Sequence, residues 1–236
     1  MISILAVNYN SLEWMRLLVK SVRKFTTVPY EIIVFDNASV DGSVDWLKAQ
    51  TDIKTIVSPM NYGHGHGLDR LLKEATHAFC LVLDSDAHIM RRNWDYDILD
   101  LYHSKPTRRL IAAKGGDLKP IHPCVMFFRC NYFRKEGLKF SATREHDVGR
   151  KLYYDITDKG YEVFGLNVGY EKPGVKFYEG VYGDIYYINR QPTFYHNWYS
   201  SRMWKRDKVD SLTREEFERR KDVLFGQPLV KEIICG

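Results

Sequence analysis

The sequence lacks any apolar run approaching the about eighteen residues that a membrane-spanning helix needs, which excludes a helical membrane protein. Met1 to Val7 is apolar, but it is too short for a secretory leader and has no basic start, so a soluble, non-secreted chain is expected. Cysteine is scarce. Cys80, Cys124, Cys130 and Cys235 make no CxxC pair and no metal-ligand spacing. Reduced thiols in a cytoplasm-like compartment are the expectation, with peripheral association at a membrane surface left open. There is no internal repeat, no low-complexity linker and no tail of one charge. The 35 Lys and Arg against 30 Asp and Glu leave +5 spread along the chain, so nothing calls for a nucleic-acid partner, although anionic ligands suit the balance. What is present, 44% hydrophobic and 28% charged residues over 236 positions, is a globular composition and excludes disorder as the main state.

Two β-branched runs, Ile2 to Val7 and Glu31 to Phe35, are each followed by a polar cluster and a segment of helical period. The first helix is expected to start with Asn10 as N-cap and Glu13 at N3, burying Trp14, Leu18, Val22 and Phe25. A weak strand at Thr55 to Val57 leads into a glycine-rich loop, Asn61 to Gly67. Leu68, Leu71, Leu72 and Ala75 then repeat at helical spacing, and Ala78 to Leu83 reads as a strand apolar on both faces. Such alternation predicts an α/β fold with a mostly parallel central sheet covered by helices, and ligands of such sheets sit at the carboxyl ends of the strands.

In the second half, Cys124 to Phe128 reads as a strand. Val148, Leu152 and Ile156 mark a helix ended by Gly160, and Tyr161 to Leu166 is again a strand. From Tyr161 to Tyr199 aromatics and glycines are dense, which suggests an irregular ligand-facing region. Thr213 with Glu216 opens a charged helix to Phe225. The expected organisation is one domain: 1–104 a nucleotide-type half, 105–200 a second half built onto it, and 201–236 a C-terminal helical tail.

The sharpest chemical feature is Asp84-Ser85-Asp86, where two carboxylates leave a buried strand. Residues i and i+2 share a side on an extended chain, so both face a ligand at the strand end. They would repel one another unless a cation lay between them, and a hard divalent ion, Mn2+ or Mg2+, is the natural neutraliser. The plainer alternative is that one Asp caps a helix while the other is solvated. Asn8 and Asn10 follow the first strand and Asp36-Asn37 the second, so three stretches converge on one edge. A carboxylate at Asp36 suits a ribose or base edge, whereas Ser39, Asp41 and Ser43 suit a turn and a cap. In Asn61-Tyr62-Gly63-His64-Gly65-His66-Gly67, backbone N–H groups can approach a phosphate at a helix N-terminus, with His64 or His66 as donors; a flexible turn explains the same residues equally well.

Taken together, Val7-Asn8-Tyr9-Asn10-Ser11, Asp36 to Ser43, Asn61-Tyr62-Gly63 and Asp84-Ser85-Asp86 resemble, in order and spacing, the glycosyltransferases of family 2 with the GT-A fold, especially the bacterial and viral rhamnosyltransferase-like branch. The resemblance implies a UDP, dTDP or GDP sugar donor, a divalent metal and inversion at the anomeric carbon. It assigns the nucleoside to Asp36, the ribose or donor sugar to Asp84, and the metal to Asp86 with a late histidine, His196. Asn8, Asn10, Asn37, Asn61, Gly63 and Ser85 complete the nucleotide-sugar set. It also implies a catalytic base at a helix start in the second half. In Arg144-Glu145-His146-Asp147 that is Asp147, with Glu145 in reserve, although His146 splits the family's Glu-Asp pair. Asp69 and Leu71 stand where the family usually has Asn and Gly. His122 and Trp198 are the acceptor candidates, and Arg202, Lys205, Arg206 and Lys208 are a basic stretch suited to diphosphate or an anionic lipid carrier, for a glycan or lipid-linked acceptor.

Two rivals remain at this stage. A DxD-type phosphatase expects Thr or Val two residues after the second Asp, where this chain has His88. A non-catalytic nucleotide-sugar or glycan-binding module of the same fold is compatible with the irregular Glu145-His146-Asp147.

Overall fold

The computed structural model describes residues 1–115, 120–141, 148–169, 183–197, 208–209 and 212–235. Its first half alternates β1 (Ile2–Asn8), α1 (Leu12–Phe25), β2 (Tyr30–Asp36), α2 (Ser43–Lys48), β3 (Ile53–Val57), α3 (His64–Glu74) and β4 (Phe79–Leu83). β1 pairs in parallel with β2 and β4, and β2 with β3. Every residue of β1 and β4 is buried, because helices cover both faces of a parallel sheet. On one face lie Trp14, Leu18, Val22 and Phe25 of α1, each side chain contributing about 1.5–3 kcal/mol by leaving water. Leu68, Leu71 and Leu72 of α3 close the other.

Beyond β4 the chain forms β5 (Ala87–Ile89), α4 (Trp94–His103), β6 (Arg108–Lys114), β7 (Ile121–Arg129), α5 (Cys130–Lys135), α6 (Val148–Thr157), β8 (Glu162–Gly169), β9 (Asp184–Ile188) and β10 (Gln191–His196). Among the described residues, one sheet runs β3-β2-β1-β4-β7-β6-β8-β9-β10-β5. A short pair, β11 (Lys208–Val209) and β12 (Leu212–Thr213), precedes α7 (Arg214–Gly226) and α8 (Pro228–Cys235). Thr213 caps α7 by accepting the Glu216 N–H, as the sequence suggests. α8 packs on α1 through Val230 and Ile233.

Four expectations are corrected. The N-cap of α1 is Ser11, not Asn10: Asn10 lies in the left-handed region (φ 49°) with its side-chain oxygen accepting the Val40 N–H, and Asp41 takes the Leu12 N–H from across the loop. The glycine-rich loop is shorter than Asn61 to Gly67, because α3 already begins at His64. The supposedly irregular stretch before Tyr199 contains β9 and β10, in which Ile185, Tyr186, Phe194 and Tyr195 are buried. Finally, Cys80 and Cys130 are not reduced thiols but a disulfide, with Cα atoms 6.0 Å apart. In the β4–β7 ladder Cys80 opposes Phe128, so Cys130, two residues on, falls on the same side of the sheet.

No described helix is long and apolar enough to cross a membrane.

Candidate active site

At the carboxyl ends of β1 and β2 the asparagines and Asp36 form a closed network. The Asn8 amide donates to Asp36 at 2.7 Å and to Ser39 at 3.1 Å, while the Ser39 N–H and hydroxyl both donate to Asp36 at 2.8 Å. The Asn10 N–H donates to Ser39 at 2.9 Å. Asp36 is fully buried, so its carboxylate organises the loop that follows β2. Asn37 extends the network to the next segment: its amide donates to the Gly63 carbonyl at 3.2 Å and its oxygen accepts the Tyr62 N–H at 3.1 Å. Asn61 accepts the Gly63 N–H at 2.9 Å. Gly63, at φ 91° and ψ 164°, occupies a backbone region essentially restricted to glycine and turns the chain into α3.

α3 then delivers His64 to the acidic edge. Gly65 lets the helix approach the Phe140 carbonyl, which an added Cβ would meet at 2.3 Å, and at Gly67 a Cβ would lie 2.8 Å from Val7. The alternate glycines thus serve close packing as well as the turn. Asp69, one turn on, accepts the N–H groups of Phe140 (2.6 Å) and Ser141 (3.1 Å) and the Ser141 hydroxyl, tying the chain after α5 to α3.

Three strand ends meet around Asp84 and Asp86. β4 ends at Leu83, and the Asp84 N–H donates to the Cys124 carbonyl of β7 at 2.9 Å. β5 pairs antiparallel with β10 so that His196 opposes Ala87, and the Asn197 N–H donates to the Asp86 carbonyl. His196 Nε2 therefore lies 3.6 Å from Asp84 and 3.4 Å from Asp86, and His64 Nε2 lies 3.1 Å from Asp84 Oδ1. His122 and Cys124 alternate on β7, and the His122 ring is 5.3 Å from that of His196. Asp86, Ser85 and His196 are buried.

The electrostatics are those of a tight mixed-charge cluster. Burial alone would raise the Asp84 carboxyl, but His64 and His196 outweigh it and hold it well below the usual carboxylate range. Burial would likewise lower His64 and His196; Asp84 lifts the first, and Cys124, Asp86 and Asp84 lift the second well above its ordinary value. Next door, burial pushes His88 down to about 3, so it stays neutral.

Asp84, Asp86 and His196 can bring one ligand atom each within 4.8 Å of one another, a set able to hold a cation. Asp84 Oδ1, His64 Nε2 and His196 Nδ1 are buried with no hydrogen-bond partner among the described residues: His64 and Asp84 are near but misaligned. Buried polar atoms left in this way fit a group that would complete the site. Two carboxylates with one imidazole suit Mn2+, or Mg2+ with the carboxylates alone.

Asn8, Asn10, Asp36, Asn37, Asn61 and Gly63 therefore gather in one network and Asp84, Ser85, Asp86, His122 and His196 in a second, joined by the Asn37–Gly63 contact and α3. Asp147, Glu145 and Trp198 lie outside the described residues. Cys124 was not singled out for chemistry by the sequence, because its proximity to His196 depends on strands more than sixty residues apart.

Comparisons with known proteins identify the family and the fold. The family model "Glycosyl transferase family 2" matches residues 3–137, more than half of the chain. No curated protein matches the sequence. Among solved structures, S. aureus TarS 1-349 in complex with UDP is 20% identical with a TM-score of 0.51, over 70% of this chain and 57% of that one. The same fragment in complex with UDP-GlcNAc has the same identity and TM-score over 75% and 63%. The mannosyltransferase PcManGT from Pyrobaculum calidifontis, in complex with GDP-Man and Mn2+, is 12% identical with a TM-score of 0.59 over 99% and 72%. In both of these TarS complexes the chain spans less than two thirds of the fragment, and at these identities the likeness is one of fold, the GT-A α/β architecture. The matched segment runs from β1 through α5 and contains both networks except His196, and on that match this chain belongs to glycosyl transferase family 2.

Proposed function

We propose that the protein transfers a sugar, with inversion, from a nucleoside diphosphate to a hydroxyl of a glycan or lipid-linked acceptor, using a divalent cation. The observation that carries this reading is the cluster of half-buried Asp84 with buried Asp86 and His196 beside the N-terminus of α3. Neighbours of the same fold bind UDP, UDP-GlcNAc, or GDP-Man with Mn2+, which supports a nucleotide-sugar donor and a metal. The resemblance to the rhamnosyltransferase-like branch adds a dTDP-deoxyhexose to the donors worth testing.

Asp36, fixed by Asn8 and Ser39, and Asn37, fixing Gly63, shape the nucleoside pocket, with Asn10 and Asn61 holding the loops on either side. The first N–H groups of α3 face the diphosphate with the positive end of the helix dipole. Asp84, Asp86 and His196 would hold the cation, which when bound supplies charge neutralisation for the departing diphosphate. Asp147, with Glu145 as the alternative, takes the proton from the acceptor hydroxyl as its oxygen attacks the anomeric carbon and the carbon–diphosphate bond breaks. Asp69 fixes Phe140 and Ser141 just ahead of that stretch. His122 and Trp198 contact the acceptor.

Calorimetry with Mn2+ and UDP, GDP or dTDP tests the site. Asp86→Ala is expected to abolish metal-supported nucleotide binding, and unchanged binding would remove the metal role. Asp147→Asn is expected to bind donor normally while losing transfer by at least a hundredfold, in line with general-base contributions; undiminished turnover would move the base elsewhere.

A further inference from the structure

His196 belongs to two ligand sets. Besides Asp84 and Asp86, it joins His122 and Cys124, again with one donor atom from each residue within 4.8 Å of the others. The second set has a different chemistry: two imidazoles and a thiol, the donors of borderline-soft cations, against the oxygen-rich set that suits Mg2+ and Mn2+. Zn–N bonds of about 2.0–2.1 Å and Zn–S bonds of about 2.3 Å separate tetrahedral donors by roughly 3.5 Å, so small side-chain rotations bring this trio onto one ion.

We propose that His122, Cys124 and His196 form a site for a zinc-class cation, and that its occupation withdraws His196 from Asp84 and Asp86, making such cations inhibitors of the reaction. Cys124 is fully buried and His196 nearly so, while His122 is only partly buried. Cys124 is also in no disulfide, unlike Cys80 and Cys130, so its thiol can become a ligand. Binding converts the thiol to a thiolate–metal bond and releases its proton to solvent. It replaces two existing contacts, the 3.2 Å hydrogen bond from the Cys124 N–H to His122 Nδ1 and the 3.5 Å contact from the Cys124 thiol to the Tyr186 hydroxyl. Water fills the fourth position of an open tetrahedral site. A neutral imidazole ligates through one nitrogen, so the two sets compete for His196. The binding half of this inference stands on the three side chains; only the inhibition half rests on the transfer reaction proposed above.

The test uses the full chain without nucleotide. Titration with Co2+ is expected to give a near-ultraviolet thiolate-to-cobalt charge-transfer band, which one equivalent of Zn2+ bleaches. Cys124→Ser is expected to remove the band, while Cys235→Ser, at the exposed thiol, and Asp86→Asn retain it. No band in the wild-type protein, a band surviving in Cys124→Ser, or a band lost with Cys235→Ser overturns the site; because the wild-type spectrum decides by itself, a poorly folding variant does not rescue it. In a transfer assay with Mn2+ held constant, Zn2+ is expected to inhibit the wild-type protein at concentrations at least tenfold lower than Cys124→Ser, each measured against its own zinc-free rate. Equal sensitivity overturns the competition. If no donor supports turnover, the spectra still decide the site while the transfer reading alone fails.

Discussion

Asp84 stands where burial and ion pairing oppose one another, and pairing wins: one carboxylate has a histidine on either side, His64 at 3.1 Å and His196 at 3.6 Å. Glycines next to it set how close α3 can come. In a helix, alanine ordinarily improves on glycine by about 0.5–1 kcal/mol, because glycine loses more backbone entropy on folding. Gly226 closes α7 with nothing among the described residues within 4 Å of an added methyl, so Gly226→Ala is expected to stabilise by about that amount. At Gly65 the methyl meets the Phe140 carbonyl at 2.3 Å, so the sign reverses: Gly65→Ala is expected to cost about 1–3 kcal/mol by overpacking. Urea midpoints of the two variants check this, and shifts of the same sign would show that α3 does not depend on that approach. The residues of the carboxylate site were legible in the sequence because their chemistry is local, two acids at i and i+2 after a buried strand. The sequence also marked Gly65 and Gly67, as a loop that approaches phosphate or as a flexible turn, but nothing local reveals that Phe140, Val7 and Phe35 press against them.

Elements with strong periodicity, such as α1, α3, β1 and β4, were readable from the chain, whereas β5, α4 and β6 were not. β5 has three residues, too few to show a period, and α4 carries Asp95, Asp97 and Asp100 among its apolar positions. Asp95 is nevertheless buried, because it accepts the N–H groups of Thr27 and Val28 at 2.6 and 2.7 Å. β6 opens with Arg108 and Arg109, which read as surface charge. In the fold Arg108 is 3% exposed, donates to Glu162 at 2.8 Å and to Ser104 at 2.8 Å, and lies 4.6 Å over the Phe164 ring. This pair fastens β6 to β8 at the start of their parallel ladder. Burial would raise the Glu162 carboxyl, but Arg108 and Lys105 pull it below its ordinary value. A folded-state pKa below the unfolded one means that the stabilisation is complete above the usual glutamate range, about pH 4.5, and is lost as pH falls through the folded value. Glu162→Gln is expected to cost about 1.5–3 kcal/mol at pH 7, the range for a hydrogen bond to a charged group. The wild-type advantage should shrink in urea melts at pH 3; a gap independent of pH would mean that packing, not charge, holds the two strands together.

Across the whole molecule, the sheet brings sequence-distant segments to one edge: β7 inserts beside β4, and β10 returns to pair with β5, so His122, Cys124 and His196 reach Asp84 and Asp86. Strand order of this kind is set by long-range packing, which local pattern does not encode, and the same holds for the covalent link that spans the arrangement. Cys80 on β4 and Cys130 at the head of α5 are 50 residues apart, and the loop they close contains Asp84, Asp86, His122 and Cys124. Spacing alone made them look like independent thiols, whereas the antiparallel β4–β7 register sets them side by side. Closing a loop of that length removes about 4 kcal/mol of chain entropy from the unfolded state in the simplest treatment. The Cys80→Ala/Cys130→Ala double variant is therefore expected to lose stability by up to about 4 kcal/mol in guanidinium unfolding, part of the loss arising from the unfilled sulfur volume. With both sulfurs buried, reductant is expected to act only once the chain has opened, so it should shift the wild-type unfolding curve and leave that of the double variant in place. A non-reduced peptide map decides the bond itself: a Cys80–Cys130 cross-linked peptide is expected, and two free thiols there would return both residues to ordinary core packing between β4 and α5.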